Sequence, residues 1–374
     1  MIVLPTLLFV EVPCFYAEVE RALAPEQRAR PVIVGGNPRK RGRVQSASSD
    51  ALAAGVQLGM PMLDALERCI GARVVRTDMK RYREMAGRLR AELRAEVERL
   101  EPAGLEAAFL DATGGERAAE VVAAAVRQRL SSSLGLASRV GIASVKFLAR
   151  IAAAEAGPTG VLRVPVGREA EFLAPFPVSV LPGVGPKTLG RLHELGAKCV
   201  GDLRRIEVAN LERALGNHGL RLLEFASGDD QQRVRAVRAP SSLSQETTFP
   251  EPQLDLAAIA ERMLRLATNL ENTLRRQGLG ARRVAVKLRY ADHEASTRTR
   301  TLDRPVSLAR EIVAVAEGLL ERTNAGSRPV RTLGIRLAAL GNGRSRGRQL
   351  DLFEPDSRSA GEESVRSEDE EVEG

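Results

Sequence analysis

The sequence predicts an α+β protein of several domains. Three observations lead there: the length, a strand–helix alternation in the first part of the chain, and a polar linker between a helical stretch and a second mixed domain. A chain of 374 residues is too long for one compact core, so two to four domains are expected. Hydrophobic residues make up 44% and charged residues 28%, the balance of a globular chain that dissolves in water. No apolar run approaches the roughly 18 residues a membrane helix needs. The N-terminus has no basic leader and reaches Glu11 too early for a secretory signal. Cys14, Cys69 and Cys199 are scattered; they show no metal spacing or disulfide framework and fit a reduced cytoplasm.

In chain order, "LLFVEV" and "PVIVGG" read as strands, the second ending in a glycine pair that signals a turn. "NPRKRGR" (37–43) is a basic loop, and short helices broken at Gly55, Gly59 and Pro61 run from Ala51 to Gly71. Met85, Leu89, Leu93 and Val97 recur at helical spacing, which predicts a long helix over 79–100. A strand and turn (104–113), a helix (116–133), a strand (138–144) and a helix from Val145 complete an α/β layer. From 181 to about 228 the chain is helical; 229–242 reads as a linker, polar and without periodicity. The following domain, 243–341, carries a helix (255–278), two alternating strands, a helix (306–323) and a strand (330–337). Beyond Gly341 a Gly/Ser/Arg-rich and then acidic tail is expected to be disordered.

Charge is unevenly distributed. The whole chain carries +8, but residues 354–374 hold nine acids and two arginines, so the preceding 353 residues carry +15. A basic body with an acidic tail points to a nucleic-acid partner. Arginine outnumbers lysine 50 to 6; this suits phosphate recognition, though a GC-rich coding bias gives the same skew. Placement says more. In "RRVAVKLRYA", Val284, Val286, Leu288 and Tyr290 alternate with Arg283, Lys287 and Arg289, and Arg298 and Arg300 share a face of the next strand. One apolar and one cationic face, with no acid among those cations, would let a strand pair track a phosphate backbone; a solvated antiparallel face has the same pattern. In "LPGVGPKT", Gly183 and Gly185 let backbone N–H groups approach a phosphate at a helix start, with Lys187 adding charge. An ordinary helix–helix turn is the other reading.

Stretches in this order and spacing resemble one family. "FVEVPCFYAEVE", "PVIVGG", "GVQLGMP", "LEAAFLD", "GIASVKFLARIA", "FLAPFPVSVLPGVGPKT" and "QETTF" are similar to Y-family translesion DNA polymerases of the bacterial DNA polymerase IV type, over about residues 6–353. The resemblance implies a right-hand architecture. An α/β palm with small fingers would span 1–165 and a helical thumb with a helix-hairpin-helix 166–232. A linker (233–242), an α/β little finger (243–341) and the tail (342–374) would follow.

The resemblance also implies a two-metal site, and here the chain departs from it. Two Mg²⁺ ions about 3.5–4 Å apart would activate the primer hydroxyl and hold the triphosphate. The family places an Asp at Glu11 and an Asp-Glu pair at Glu106 and Ala107. Glutamate is longer by roughly 1.5 Å, and misplacing a reacting group by about 1 Å can cost ~10²-fold. Ala107 removes a carboxylate outright. Asp111 lies four residues on, about 13 Å along a strand, too far to replace it. Ser49 and Leu52 stand where the family has a Tyr and an Arg against the triphosphate. Phe15, Tyr16 (the steric-gate position) and Lys146 (a phosphate contact) are kept. Taken singly, an acid at a strand end is usually solvated, two aromatics are usually core, and a lysine usually snorkels to water.

Gln349, Leu350, Asp351, Leu352 and Phe353 match the family's clamp-binding pentapeptide, in a tail otherwise almost free of apolar residues. The implied partners are primer-template DNA, the bacterial sliding clamp and another DNA polymerase, with no membrane; the implied place is the cytoplasm, at the nucleoid. Nucleotidyl transfer is expected to be weak or lost. The alternative is an active error-prone polymerase that uses Glu11 and Glu106 with Mg²⁺; without that activity no cofactor is implied.

Overall fold

The computed structural model describes residues 5–40, 42–235 and 240–342; the pentapeptide at 349–353 lies outside the described residues. The chain divides after residue 238 into two compact units.

In the first unit, strand β1 (Leu7–Glu11) is apolar over four successive residues because both of its faces are covered. Leu8 and Val10 join a core with α1 (Phe15–Leu23), α4 (Met79–Arg94) and α5 (Ala119–Leu134). Leu7 and Phe9 face α6 (Lys146–Glu155). β1 is the middle of a five-stranded sheet of order β5-β6-β1-β7-β8, the others being β5 (Arg99–Pro102), β6 (Ala107–Asp111), β7 (Arg139–Ala143) and β8 (Val161–Arg163). Both neighbours of β1 run antiparallel to it. Gly141 lets α6 lie on β7: a Cβ there would sit 2.0 Å from the Ala149 carbonyl oxygen.

A smaller sheet, β3-β2-β4, is built from β2 (Val32–Gly35), β3 (Val44–Ala47) and β4 (Arg73–Arg76), with α2 (Ser49–Ala53) and α3 (Met62–Arg68) closing a core around Ile33, Met62 and Cys69. Five helices follow: α7 (Glu169–Leu173), α8 (Pro186–Glu194), α9 (Val200–Leu203), α10 (Val208–Leu215) and α11 (Asn217–Ala226). Their Leu192, Leu203, Leu211 and Phe225 continue the core beneath α6.

The second unit is a four-stranded antiparallel sheet of order β11-β10-β12-β9, made of β9 (Ser242–Gln253), β10 (Leu279–Tyr290), β11 (Ala295–Val306) and β12 (Val330–Asn342). Helices α12 (Leu256–Gln277) and α13 (Ala309–Leu320) pack on one face, against Val284, Val286, Leu288, Leu333, Ile335 and Leu337.

Three sequence expectations change. The helix expected over 79–100 ends at Arg94, because Leu100 and Glu101 pair with Leu110 and Phe109 as a strand. β3, β4, β8 and β9 were not expected; β9 is an edge strand with little apolar content beyond Leu243 and Phe249. Part of the linker is anchored to the first unit: Val234 is buried and the Arg235 N–H donates to Glu101 Oε2 at 2.8 Å.

Candidate active site and nucleic-acid face

Sheet register places Ala107, Glu11 and Arg139 side by side on β6, β1 and β7, on the face that carries Phe9 and Phe109. Opposed residues on neighbouring strands lie about 4.5–5.5 Å apart. Arg139 Nε donates to Glu11 Oε2 at 2.8 Å, and Nη2 lies 2.7 Å from the same oxygen as an ion pair. Its Nη1 donates to the Ala154 carbonyl at 3.3 Å, fixing the guanidinium against the end of α6. Both side chains are about one quarter exposed, at 23% and 24%.

Glu106 sits just ahead of β6, and its backbone carbonyl accepts from the Val12 N–H at 2.9 Å. Its carboxylate folds back onto its own loop: Oε2 accepts from the Leu105 N–H at 2.9 Å. A Cβ on Gly104, whose φ is +91°, would meet Glu106 Oε1 at 2.7 Å, so glycine permits this fold-back. Asp111 lies at the far end of β6, opposite Leu7, where its Oδ1 accepts from the Thr113 N–H.

A pair of Mg²⁺ ions needs several hard oxygens at near-octahedral positions. Here one carboxylate is engaged by a guanidinium, the next by a backbone N–H, and the third position is a methyl group. Among the described residues, no three His, Cys, Asp or Glu gather closely enough to hold a metal ion. The residues present do not fit the metal pair.

Lys146 opens α6 and is buried, 8% exposed. Its ammonium is 2.8 Å from each oxygen of Glu101 and 4.9 Å from the centre of the Phe109 ring. The kept lysine is therefore not a solvated surface cation but is paired with Glu101. One turn on, the exposed Arg150 lies over Phe9 and Phe109, at 5.1 and 5.5 Å from the ring centres.

Phe15 is buried in the core, and Tyr16 stacks on Tyr82 with centroids 4.4 Å apart and planes 9° from parallel. The platform beneath is rigid. Tyr82 donates to the buried Glu20 at 3.1 Å, and Arg81 Nη1 meets both Glu20 oxygens at 3.0 and 3.2 Å. Burial, then the Glu20 charge, push the Tyr82 hydroxyl well above its ordinary range. Ser49 and Leu52 are exposed on α2; between them, Asp50 turns back to Arg21 and Ser48.

In the helical part of the first unit, Gly183 and Gly185 form an exposed turn into α8. Gly183 has φ +84° and lies against His218, where a Cβ would come within 2.8 Å of the ring. The first intrahelical bond joins the Leu189 N–H to the Gly185 carbonyl at 2.8 Å. The Lys187 and Thr188 N–H groups precede it, as helix-start donors do. The Lys187 side chain is exposed beside them.

In the second unit, Arg283, Lys287 and Arg289 stand on the sheet face away from the helices, opposite Thr301, Thr297 and Ala295 of β11. Across β12 the same face adds Arg336, then Ser244, Glu246 and Thr248 of β9. Arg298 and Arg300 share a face as expected, but it is not the face of Arg283, Lys287 and Arg289. Arg298 pairs with Val286 and Arg300 with Val284, so both lie on the helix-covered face. Arg298 Nε donates 2.8 Å to the Arg322 carbonyl, just past α13. The open face is also not free of acid, since Glu246 lies 3.4 Å from Lys287. What remains is four cations among small and hydroxyl side chains, a surface able to approach and hydrogen-bond phosphates.

Arg139, Arg150 and Arg336 were missed by the sequence reading. Arg336 had a signal, alternating with Leu333, Ile335 and Leu337. Arg139 had only its place at the start of a predicted strand; its partner is 128 residues away.

Comparison with known proteins agrees with this architecture. Residues 10–154 match the impB/mucB/samB family, 179–230 a thumb domain described from DNA polymerase iota, and 240–352 the impB/mucB/samB family C-terminal domain. The DNA polymerase IV of Halorhodospira halophila is 38% identical over 350 residues, covering 93% of this chain and 98% of that protein. The DNA polymerase IV of Alkalilimnicola ehrlichii is 36% identical, covering 89% and 95%. Among solved structures, a Y-family DNA polymerase chimera of Dbh and Dpo4 superposes with a TM-score of 0.78 at 24% identity, covering 89% of this chain and 98% of that one. An insertion ternary complex of Dbh DNA polymerase does so with 0.68 at 23% identity, with the same coverage. The fold is thus that of Y-family polymerases. The chain belongs to the Y family of DNA polymerases, with DNA polymerase IV proteins as its relatives.

Proposed function

We propose that this chain is a DNA-gripping, clamp-tethered member of its family, serving repair or lesion bypass with nucleotidyl transfer weak or lost. In this reading residues 1–165 are palm and fingers, 166–232 the thumb and 243–341 the little finger. The observation that carries it is the row Ala107–Glu11–Arg139, where a methyl group and a guanidinium flank a lone carboxylate. Exposed Ser49 and Leu52, and a Lys146 already paired with Glu101, support it at the triphosphate end.

The thumb turn at Gly183, Gly185 and Lys187 and the open sheet face with Arg283, Lys287, Arg289 and Arg336 would hold primer-template DNA through phosphates. Residues 349–353 would dock on a bacterial sliding clamp, and the protein would position another polymerase at a damaged primer end. A cytoplasmic, nucleoid-associated place follows from these partners.

The second reading, an active error-prone polymerase with Mg²⁺, is favoured by near full-length identity of 38% to a DNA polymerase IV. Primer extension by the purified chain, with Mg²⁺ and Mn²⁺ each supplied, separates the two. Little or no templated incorporation is expected. Robust incorporation that Glu106→Ala abolishes would establish the second reading.

A further inference from the structure

We propose that Arg139 is the resident cation of this site: its guanidinium holds Glu11 in place of a divalent ion, and it excludes metal independently of the carboxylate changes. The proposal rests on the reading above that nucleotidyl transfer is weak or lost, and names what closes the site.

Strand register sets the neighbours. Glu11 has one on each side across the sheet, Ala107 on β6 and Arg139 on β7. With no acid at 107, the cross-strand row holds one carboxylate against one guanidinium. The guanidinium is firmly held. Its Nε–H donates to Glu11 Oε2 at 2.8 Å, Nη2 lies 2.7 Å from the same oxygen, and Nη1 donates to the Ala154 carbonyl at 3.3 Å. The Nε–H bond is of the strong, charge-assisted kind. A divalent ion taking Glu11 Oε2 would have to displace the guanidinium, and one taking either oxygen would remain beside an arginine that cannot lose its charge. Glu106 is folded back onto its own loop, its Oε2 accepting from the Leu105 N–H.

Two consequences separate this from the loss of carboxylates alone. Restoring the acids while Arg139 remains leaves a positive charge inside the donor set, and metal stays out. Removing Arg139 as well leaves adjacent like charges on neighbouring strands, which repel and which a divalent ion relieves.

The test compares three full-length chains: the native one, Glu11→Asp/Glu106→Asp/Ala107→Glu, and that triple variant with Arg139→Ala. Mn²⁺ alone is the probe, read by titration of its free paramagnetic resonance signal and by thermal melting with and without the ion. The expected result is that the triple variant binds Mn²⁺ no better than the native chain. The quadruple variant should bind at least about tenfold more tightly and melt at higher temperature in Mn²⁺. Should Arg139→Ala prevent folding, Arg139→Gln keeps the stem and drops the charge, with the same gain expected.

Equal Mn²⁺ binding by the triple and quadruple variants, or no binding by either, overturns the role of Arg139. That failure is distinct from failure of the functional reading, which native primer extension reports separately.

Discussion

Lys287 and Arg298 lie on adjacent strands of one hairpin, yet they leave the sheet on opposite sides. Lys287 is registered with Thr297 on the open face, while Arg298 is registered with Val286 and reaches the Arg322 carbonyl beyond α13. Only the first kind of cation is placed to meet a flat line of phosphates. The double variant Lys287→Ala/Arg289→Ala is expected to weaken DNA binding at all sequences alike. It should reduce the slope of log affinity against log salt by about 0.9 for each phosphate no longer neutralised. Arg298→Ala should leave that slope unchanged and lower thermal stability slightly. An equal change of slope for Arg298→Ala would show that the helix-covered face also touches DNA.

The Glu11–Arg139 pair joins the central strand to its neighbour, and both side chains are mostly withdrawn from water. Arg139→Ala and Glu11→Gln are each expected to destabilise the first unit. Their coupling in a double-mutant cycle should be on the order of 1 kcal/mol. Urea unfolding measures it, and additive effects would mean that the pair contributes nothing to stability.

Lys146 and Glu101 form a more deeply buried pair, with side chains 10% and 6% exposed. Removing one partner leaves a buried charge uncompensated, so Lys146→Met should cost about 3–5 kcal/mol. Lys146→Met/Glu101→Gln should recover part of that loss. If Lys146→Met instead leaves stability intact and lowers only nucleotide affinity, the lysine serves a phosphate after all.

In α9, the Asp202 carboxylate accepts from the Cys199 and Lys198 N–H groups, at 2.9 and 3.1 Å. These two donors hold its pKa below the ordinary value of 3.8. A carboxyl lowered on folding adds stability above its unfolded pKa and loses it as pH falls through the folded one. Asp202→Ala should therefore be less stable than the native chain at neutral pH, with the gap closing in acid below the ordinary value. Melting curves from neutral pH into acid test the sign; a gap that widens in acid would contradict it.

Removing residues 349–353 is expected to abolish binding to a bacterial sliding clamp in a pull-down and to leave DNA affinity unchanged. Clamp binding that persists would remove the docking role of the pentapeptide.

Much of the architecture was legible because local patterns carry it. The alternation of Val284, Val286 and Leu288 with Arg283, Lys287 and Arg289 reports a sheet with one covered face, and burial follows it residue by residue. The helix caps are equally local, though not among the signals read from the sequence: Asp78 accepts from Lys80 and Arg81 at the start of α4, and Gly278 ends α12 in the left-handed region. What failed was non-local. Residues 99 and 100 continue the helical spacing in isolation and become part of a strand because β6 is beside them. Arg298 and Arg300 alternate correctly within their own strand, but the face they share depends on register with β10.

By itself, the sequence determined the fold class, many of the elements and the family, since periodicity, turn residues and spaced motifs are properties of neighbours along the chain. It also determined which acids the site lacks. Only the tertiary structure decided what the remaining charged groups do. Arg139 reaches Glu11 across 128 residues and Lys146 reaches Glu101 across 45. A side chain's partner is set by strand register and packing in three dimensions, which no local pattern encodes.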